Sequence, residues 1–427
     1  MTMELLLFLL GVFGGIFAGL VPGIGVFTVL VLLYPLLLDL TIIQLLILYI
    51  PILSISQYIG SVPALYFKIP GEATSFIATE YGHDLFKKGN YDLIPLTAIG
   101  SFVATVLSAV VILLLPILYE NMFYGVLKTN FIFAMILITG VCLVATAKNK
   151  WWVSILLIVF GLLLGNIGFN ASTGKFFATF GIEWLSYGIP IFPFVVAIYV
   201  IPNILKLDQS QITFDHIDNA YKQSAVSVKK YWTKMINGSI IGMLCGFVPI
   251  IGKIVGVSAS RSLYSKNDKA SVVAAESSNN SSIFTAMIPL FLFGVPITLG
   301  EILIYNVAET NYYNLTHQFK DMLSSPTIPL IILATGLVGI LLSWPLARYC
   351  ALVFKLPIKH FKSILLSVVI ASLVYLALTK SMLWYYAIIV LLFTPIGYWL
   401  RNRDVIPLIF AFIFAKLSMT IFERIMI

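Results

Sequence analysis

The sequence predicts an all-α polytopic membrane protein with about 10 to 12 membrane elements, arranged in two related repeats with broken helices. Three observations support this fold class: an apolar composition, long segments without charge, and a glycine–proline pattern that occurs twice. Hydrophobic residues make up 60% of the chain and charged residues 10%, whereas soluble domains are about 45–50% apolar and about 25% charged. A soluble fold cannot bury this much apolar surface, so the composition excludes a soluble enzyme.

Charged residues are absent from many long segments. No Asp, Glu, Lys or Arg lies between Glu4 and Asp39, between Asp39 and Lys68, or between Glu276 and Glu301. Similar segments lie between positions 92 and 120, 150 and 175, 183 and 206, 321 and 348, and 380 and 401. A helix needs about 20 apolar residues to cross a bilayer, so each segment is long enough to hold a membrane element.

The first half begins with an apolar stretch, residues 5–38, that is interrupted at Pro22-Gly23-Ile24-Gly25. Proline removes a helix donor and glycine relaxes the backbone, so this stretch predicts two half-helices that meet at a break. Residues 40–67 form the next predicted span. Ordinary helices are then expected over 94–119, 129–147, 151–170 and 184–205.

A long polar segment divides the chain. Residues 206–234 contain several lysines and predict a cytoplasmic linker, because basic loops are retained on that side of a membrane. We therefore expect residues 1–205 to form the first membrane repeat with its following helices. Residues 235–427 are expected to form the second repeat with the C-terminal helices.

A pattern of glycine and proline recurs in the two halves. Its spacing is G-x3-G-x2-P-x2-G, and it occupies Gly15, Gly19, Pro22 and Gly25, then Gly242, Gly246, Pro249 and Gly252. Downstream, two prolines seven residues apart also recur, as Pro63 and Pro70, then Pro289 and Pro296. The offsets between the halves are 227 and 226 residues, which predicts an internal duplication. Broken helices at corresponding places of two halves indicate the binding site of a secondary transporter.

Several other classes of function have little support in the sequence. The formal net charge is +8, but the basic residues lie mostly in short loops, so we do not expect nucleic-acid binding. The three cysteines and four histidines show no metal-ligand spacing, and the histidines are expected at the surface. A phosphate-binding glycine-rich loop is absent from the sequence. We therefore expect no bound cofactor and no enzymatic activity.

Four stretches of the chain resemble the large membrane subunit of tripartite tricarboxylate transporters, the TctA family. They read GGIFAGLVPGIG at 14–25, IPGEATSFIATEYGHDLFKKGN at 69–90, GMLCGFVPIIG at 242–252 and AAESSNNSSIFTAMIPLFLFGVPIT at 274–298. The family favours more glycine after each break, where this chain has, for example, Ile250, Ile251 and Lys253.

The resemblance implies a multi-pass protein of the bacterial inner membrane. Its expected activity is uptake of a small carboxylate, either a tricarboxylate or a dicarboxylate, driven by a gradient of Na⁺ or H⁺. An extracytoplasmic substrate-binding protein would deliver the substrate, and a small membrane subunit would accompany the chain in the lipid bilayer. Transport would proceed by alternating access at the broken helices.

The breaks supply the first candidate site residues. Half-helix N-termini offer free N–H groups to a carboxylate, and unwound carbonyls suit Na⁺. Pro22, Gly23 and Gly25 are candidates for substrate binding, and Na⁺ is expected near Gly25, Gly252 or Asn279. The alternative is that each break is a kink that serves helix packing.

Two polar stretches supply further candidates. Pro70, Gly71, Glu72, Thr74 and Ser75 could begin a helix that holds the substrate, or could simply initiate an ordinary helix. In the run from Ser277 to Ser282, the side chains of Asn279, Asn280 and Ser281 suit either a carboxylate or a Na⁺ shell. The alternative for this run is a polar loop with a helix cap.

The remaining candidates follow the later breaks. Pro296 and Thr298 lie at the third break. Lys253 could pair with a substrate carboxylate or extend to the membrane interface. Glu301 could pair with a cation or with Lys253.

Two other functions stay open. An intramembrane enzyme acting on a lipid-linked substrate would use the cluster of Glu72, His83 and Asp84. A degenerate, non-transporting scaffold or sensor would explain the missing glycines.

Overall fold

The computed structural model describes residues 2–21, 24–69, 73–122, 129–170, 174–206, 228–265, 268–310, 326–355, 358–379 and 383–426. The elements of the first part of the chain are α1 (Met3–Leu20), α2 (Val26–Leu32), α3 (Tyr34–Leu37), α4 (Ile42–Phe67), a 3₁₀ turn (Ala73–Ser75), a π-helical turn (Ala78–Gly82), α5 (His83–Lys87), α6 (Leu93–Met122), α7 (Thr129–Thr146), α8 (Trp151–Asn166), β1 (Gly168–Asn170) and β2 (Lys175–Phe177). They are followed by a 3₁₀ turn (Glu183–Tyr187), α9 (Ile191–Val195), a π-helical turn (Val196–Val200), α10 (Ile201–Lys206), α11 (Val228–Gly246), α12 (Gly252–Ser262), α13 (Lys269–Phe293), α14 (Leu299–Thr310), α15 (Thr327–Lys355), α16 (Ile358–Thr379), α17 (Leu383–Leu400) and α18 (Ile406–Met426).

The predicted all-α membrane class is confirmed. Within the described ranges, four helices are long and apolar enough to cross a bilayer, and shorter apolar helices accompany them. These four are α1, α4, the part of α6 from Leu93 to Pro116, and the part of α16 from Lys362 to Thr379. The first predicted break is also present, because α1 ends at Leu20 and α2 begins at Val26.

A short antiparallel ribbon departs from the predicted helices. Strand β1 pairs with β2, with Phe169 opposite Phe176. The predicted helix over 151–170 therefore ends at Asn166, and the one over 184–205 begins at Ile191. Gly168 has a φ of 101°, a conformation that ends regular helix and that side-chain-bearing residues rarely adopt.

The chain forms two compact units, each built from separate stretches of sequence. Unit 1 contains Met1–Leu30, Leu40–Tyr124 and Gln209–Pro357, and unit 2 contains Val31–Asp39, Gly125–Asp208 and Ile358–Ile427. Both glycine–proline patterns fall in unit 1. Most of the predicted linker, residues 207–227, lies outside the described residues, so the division of the chain at 206–234 stays a prediction.

Unit 2 is held by close packing of α8 on α18 and by stacked aromatic rings. Gly161 of α8 lies directly against the carbonyl oxygen of Leu408 in α18. The Phe194 ring stacks on Phe412 with centroids 4.2 Å apart and meets Phe393 edge-on at 5.0 Å. The core of this unit is therefore apolar.

In unit 1, three glycines of α1 let that helix approach α4 closely. A methyl group at Gly11 would lie 2.5 Å from the carbonyl oxygen of Leu48, and one at Gly19 would lie 2.7 Å from that of Ser56. A methyl group at Gly15 would lie 2.8 Å from the carbonyl oxygen of Pro51. The residue numbers rise together in the two helices along these contacts, so α1 and α4 are parallel.

The second glycine pattern packs in the same way. Gly238, Gly242 and Gly246 of α11 lie against carbonyl oxygens of α13, and these belong to Ala274, Ser278 and Ser282. The glycines stand 227 residues after those of α1. Ala274 and Ser282 stand 226 residues after their counterparts Leu48 and Ser56. The two helix pairs thus share one packing register, which supports the predicted duplication.

Helices α4 and α13 also end alike. Lys68 (φ 57°) and Gly294 (φ 64°) both adopt the left-handed conformation at the helix end. The next N–H then donates back to a proline carbonyl, from Ile69 to Pro63 at 3.4 Å and from Val295 to Pro289 at 3.2 Å. This arrangement satisfies carbonyl groups that the helix end leaves free.

The two pairs run in opposite directions. Gly82, which follows α4, lies against Val272 near the start of α13. Gly300, which follows α13, lies against Tyr49 near the start of α4. Since each helix begins where the other ends, α4 and α13 are antiparallel within unit 1.

Candidate functional site

The interior of unit 1 contains a band of buried polar side chains. It comes from α4, the 3₁₀ turn after it, α6 and α13. Its members are Ser54, Ser56, Gln57, Ser61, Thr74, Ser75, Thr97, Ser101, Thr105, Ser108, Glu276, Ser277, Ser278, Asn279, Asn280, Ser281, Ser282 and Thr285. Polar groups are costly to bury in a membrane protein, so a band of this size indicates a functional interior.

The polar run of α13 lies in the middle of a helix. This helix begins at Lys269 with Asp268 as its cap, since the Asp268 side chain accepts from the backbone N–H of Ala270. The alternative of a polar loop with a cap inside the run is therefore wrong. Helices α4, α6, α11 and α12 all pack against α13, which explains why polar residues on every face of it are buried.

Asn279 joins α13 to α4 through Gln57. The Asn279 amide nitrogen Nδ2 donates to Gln57 Oε1 at 2.7 Å. Thr74 donates from its hydroxyl to the same Gln57 oxygen at 3.5 Å. Two predicted site residues, Thr74 and Asn279, are thus brought together by a residue that the sequence analysis did not single out.

Asn280 faces α6 instead. Its Nδ2 donates to Ser101 Oγ at 2.7 Å and to the backbone carbonyl of Glu276 at 3.2 Å. A carbonyl oxygen can only accept, so the Glu276 contact identifies this side-chain atom of Asn280 as the nitrogen. The amide oxygen of Asn280 must then point elsewhere.

The serines of the run serve mainly the helix itself. Ser281 donates to the carbonyl of Ser278 at 3.2 Å, and its hydroxyl lies against Gly242 of α11. Ser277 and Ser282 also donate to carbonyls of their own helix. Ser281, a predicted site residue, therefore lies at the interface with α11 and not beside Gln57.

Ser75 is the second predicted residue in the 3₁₀ turn after α4. It is buried, and its carbonyl oxygen accepts from the Thr79 hydroxyl at 2.8 Å. Its own hydroxyl has no hydrogen-bond partner among the residues that the structure describes. Pro70, Gly71 and Glu72 lie outside the described residues.

His83 follows the π-helical turn and is buried, so the expectation of a surface histidine was wrong here. Its Nδ1 lies 2.8 Å from the carbonyl oxygen of Leu65 and therefore carries the proton. Burial lowers the pKa of His83 from its ordinary value. The histidine thus holds the π-helical turn against the end of α4.

At the second glycine–proline break, Ile250 has a φ of 63°. A β-branched residue rarely adopts this left-handed conformation, which costs about 1–2 kcal/mol. The corresponding residue of the first pattern is Gly23, so at the second break a conformation that suits glycine is adopted by isoleucine. The Ile250 N–H donates to the carbonyl of Ile297 at 3.2 Å, which joins this break to the one at Pro296.

Glu301 closes the third break as a helix cap. Its Oε2 accepts from the backbone N–H groups of Ile297 at 2.9 Å and Thr298 at 3.1 Å. The Thr298 hydroxyl in turn accepts from the Glu301 N–H at 3.4 Å. This reciprocal pair is a capping box at the start of α14, and it engages the predicted site residue Thr298; Pro296, beside it, is buried.

Lys253 is half-buried at the second residue of α12. Its ammonium group interacts electrostatically with Glu301. Within the described part of the chain, the two groups form no ion pair of 4.0 Å or less. Lys253 therefore stands at the joined breaks with its charge available to another anion.

The glycines that close the two patterns differ in their surroundings. Apart from its chain neighbours, no atom of the described residues lies within 4 Å of a methyl group placed at Gly25, whereas one at Gly252 would meet the carbonyl oxygen of Cys245. Gly25 thus borders open space and Gly252 serves close packing. Pro22 and Gly23 lie outside the described residues.

The polar atoms that remain unused in α13 are oxygens. Glu276 Oε2, Ser278 Oγ, Asn279 Oδ1 and Asn280 Oδ1 are buried and have no partner among the described residues. The Ser278 hydroxyl lies on the side of α13 that faces Gly256 of α12. Glu276, Gln57 and Ser101 were not proposed as site residues from the sequence. A signal existed for both Gln57 and Glu276, because Gln57 is an amide side chain inside a long uncharged segment and Glu276 is an ionisable one directly before the polar run 277–282.

Comparison with known proteins places the chain in a family. The Tripartite tricarboxylate transporter TctA family matches residues 5–410. A protein of Agrobacterium vitis, described as an uncharacterized 52.8 kDa protein in the TAR-I ttuC' 3'region, is 27% identical over 303 residues. That match covers 67% of this chain and 60% of the relative's own length. No solved structure matches the chain. Because the family match spans nearly all of the sequence, the chain belongs to the tripartite tricarboxylate transporter TctA family.

Proposed function

We propose that the chain is the membrane subunit of a secondary transporter that takes up small carboxylates, tricarboxylates or dicarboxylates, across the bacterial inner membrane. The observation that carries this proposal is the buried polar band of unit 1, which lies among helices that break at matching places. An extracytoplasmic substrate-binding protein would deliver the acid, and a small membrane subunit would accompany the chain. A Na⁺ or H⁺ gradient would drive the step.

The substrate carboxylate would bind at the second break, where α12 begins. The first N–H groups of a helix have no partner within the helix, and its N-terminus carries about half a positive charge. In α12 the Gly252 N–H donates to the carbonyl of Val248 at 3.0 Å, which leaves those of Lys253 and Ile254 without a backbone acceptor among the described residues. Lys253 adds a full charge within the first turn of α12. By contrast, the start of α14 already holds the Glu301 carboxylate, so it offers less to an anion.

Alternating access would involve the two inverted helix pairs. The α1–α4 pair carries the first break, and the α11–α13 pair carries the second and third. Because α4 and α13 are antiparallel, the breaks lie at both ends of the interior of unit 1. Small movements of the short segments around the breaks would then expose the polar band to one side of the membrane at a time.

The test is uptake of labelled citrate and succinate into proteoliposomes that contain the chain with its two partner proteins. We expect uptake that depends on a Na⁺ or H⁺ gradient, and Lys253→Met should reduce it by about tenfold or more. Lys229→Met, which removes an exposed lysine of α11, is the matched control and should leave uptake unchanged. Docking of the binding protein without gradient-driven uptake of any small carboxylate would contradict the proposal and favour a scaffold or sensor.

A further inference from the structure

We infer that the Glu276 carboxylate and the amide oxygens of Asn279 and Asn280 bind a Na⁺ ion in the interior of unit 1. The inference rests on the proposed function, because it names the coupling ion of that transporter and the side chains that hold it. It adds Glu276 as a ligand and assigns the two asparagines to the cation, where the sequence alone also allowed them to hold the substrate carboxylate.

Helix geometry places the three side chains together. Glu276 stands three residues before Asn279 and four before Asn280 on the continuous helix α13. Side chains at these spacings are neighbours, with Cβ atoms about 5–6 Å apart. Asn279 contacts Gln57 of α4, and Asn280 contacts Ser101 of α6. Glu276 lies one turn earlier on the same side of α13, at an angle around the helix axis between those of the two asparagines.

On the side of α13 that carries Glu276, Asn279 and Asn280, the hydrogen bonds leave only acceptor atoms for a ligand. The Ser278 hydroxyl, which also has no partner among the described residues, faces Gly256 of α12 instead. Both asparagine NH₂ groups donate to protein oxygens, at 2.7 Å in each case. The two amide oxygens and Glu276 Oε2 have no partner among the described residues, although the three side chains are at most 1% exposed. A carboxylate substrate needs donors and would be repelled here, whereas a hard cation needs oxygen ligands.

The charge of the site selects a monovalent ion. Glu276 brings one negative charge, and the described parts of α4 and α6 that pack on α13 contain no charged side chain over Ile42–Phe67 and Leu93–Pro116. At the start of α13, Lys269 is already paired with Asp92 at 2.8 Å. In α12, Arg261 stacks on Tyr81 with 4.4 Å between guanidinium and ring centroid.

Other charged groups near α13 leave Glu276 unpaired. The π-helical turn contributes Glu80, which is exposed, and Lys253 interacts with Glu301. Glu276 forms no ion pair of 4.0 Å or less within the described part of the chain. A monovalent cation neutralises a single carboxylate, whereas a divalent one would leave a buried positive charge. Transition metals are disfavoured too, because the described residues contain no cluster of three His, Cys, Asp or Glu ligands.

The experiment measures binding of radioactive Na⁺ to the purified full chain in lipid nanodiscs, without substrate or partner proteins. Thermal unfolding in NaCl and in KCl at equal ionic strength is recorded alongside. We expect saturable Na⁺ binding that K⁺ does not displace, and a higher unfolding temperature in NaCl. Glu276→Gln, which is isosteric and uncharged, should weaken Na⁺ binding by about 100-fold or more.

Asn280→Ala is the second variant and should weaken Na⁺ binding by about tenfold or more. Ser239→Ala is the matched control, because this buried hydroxyl of α11 already donates to the carbonyl of Met235 at 2.7 Å. It should bind Na⁺ like the wild type. If Glu276→Gln does not fold, Asn280→Ala and the comparison of NaCl with KCl on the wild type still decide the matter.

Absence of saturable Na⁺ binding to the wild type, or unchanged binding by Glu276→Gln, would overturn the inference. The inference would also be overturned if lowering the pH, but not adding Na⁺, stabilised the wild type and this effect were lost in Glu276→Gln. The carboxylate would then bind H⁺ instead of Na⁺. Intact Na⁺ binding without carboxylate uptake would refute only the proposed transport. Uptake by Glu276→Gln that still depends on Na⁺ would refute only the site.

Discussion

Glu301 and Ile250 illustrate how single residues shape the breaks of unit 1. The Glu301 carboxylate holds the first N–H groups after Pro296, while Ile250 adopts a backbone conformation that suits glycine. Through the Ile250 N–H, the two breaks form one connected segment. Local strain of this kind is typical of functional segments.

Glu301→Ala should destabilise the protein by about 1–3 kcal/mol, because the N–H groups of Ile297 and Thr298 would lose their shared acceptor. Glu301→Gln keeps a carbonyl oxygen at the same position and should cost clearly less. Thermal unfolding of both variants in detergent, in the same buffer, measures the difference. Equal unfolding temperatures for the alanine and glutamine variants would show that the capping box does not support this break.

At the scale of helices, the repeated glycines control how closely α1 approaches α4 and α11 approaches α13. Each glycine faces a backbone carbonyl of the partner helix, so even one methyl group has no room. Small residues commonly permit such approach between membrane helices. From the sequence, these glycines belong to the motif that predicts a helix break. The structure shows that they also lie in the helix before the break, where they pack against the partner helix.

Gly242→Ala should therefore lower the stability of the protein by about 1–3 kcal/mol, because its methyl group would meet the Ser278 carbonyl and the Ser281 hydroxyl. Gly140→Ala in α7 is the matched control, since no atom from outside its own helical turn lies within 4 Å of the added methyl group among the described residues. This control should be neutral or raise stability by about 0.5–1 kcal/mol through the helix preference for alanine. Thermal unfolding of the two variants measures both effects, and equal losses would contradict the packing argument.

At the scale of the whole molecule, the antiparallel course of α4 and α13 gives the two halves of unit 1 opposite directions. Helix α13 starts beside Asp92, to which Lys269 is paired, and α4 starts at the other end. The chain around Lys88 and Ser265 should therefore face one side of the membrane, and Thr41 the other. The lysines near position 88 favour the cytoplasm for the first two.

This arrangement is tested with single cysteines at Thr41, Lys88 and Ser265. The three native cysteines, Cys142, Cys245 and Cys350, are first replaced by alanine, and transport or thermal unfolding shows that the background is intact. A membrane-impermeant maleimide should label Thr41→Cys in intact cells, and should label Lys88→Cys and Ser265→Cys only after the cells are opened. Labelling of all three from the same side would contradict the antiparallel arrangement.

The sequence by itself determined the membrane class, the place of each break and the pattern shared by the two halves. Composition and proline–glycine spacing act locally, through hydrophobic length and backbone freedom, so they can be followed along one chain. The sequence also predicted Thr74 and Asn279 as site residues, and the structure brings both of them to Gln57.

Only the tertiary structure decided the relative direction of the helix pairs α1–α4 and α11–α13, and which polar atoms have hydrogen-bond partners. Gln57 meets Asn279 across 222 positions of sequence, and the Ile250 N–H meets the carbonyl of Ile297, which belongs to a different break. Such contacts depend on which helix faces pack together, and periodicity within one segment carries no information on the partner. For the same reason, the sequence left Asn279 and Asn280 open to an anion or a cation, whereas their occupied donors and free oxygens favour a cation.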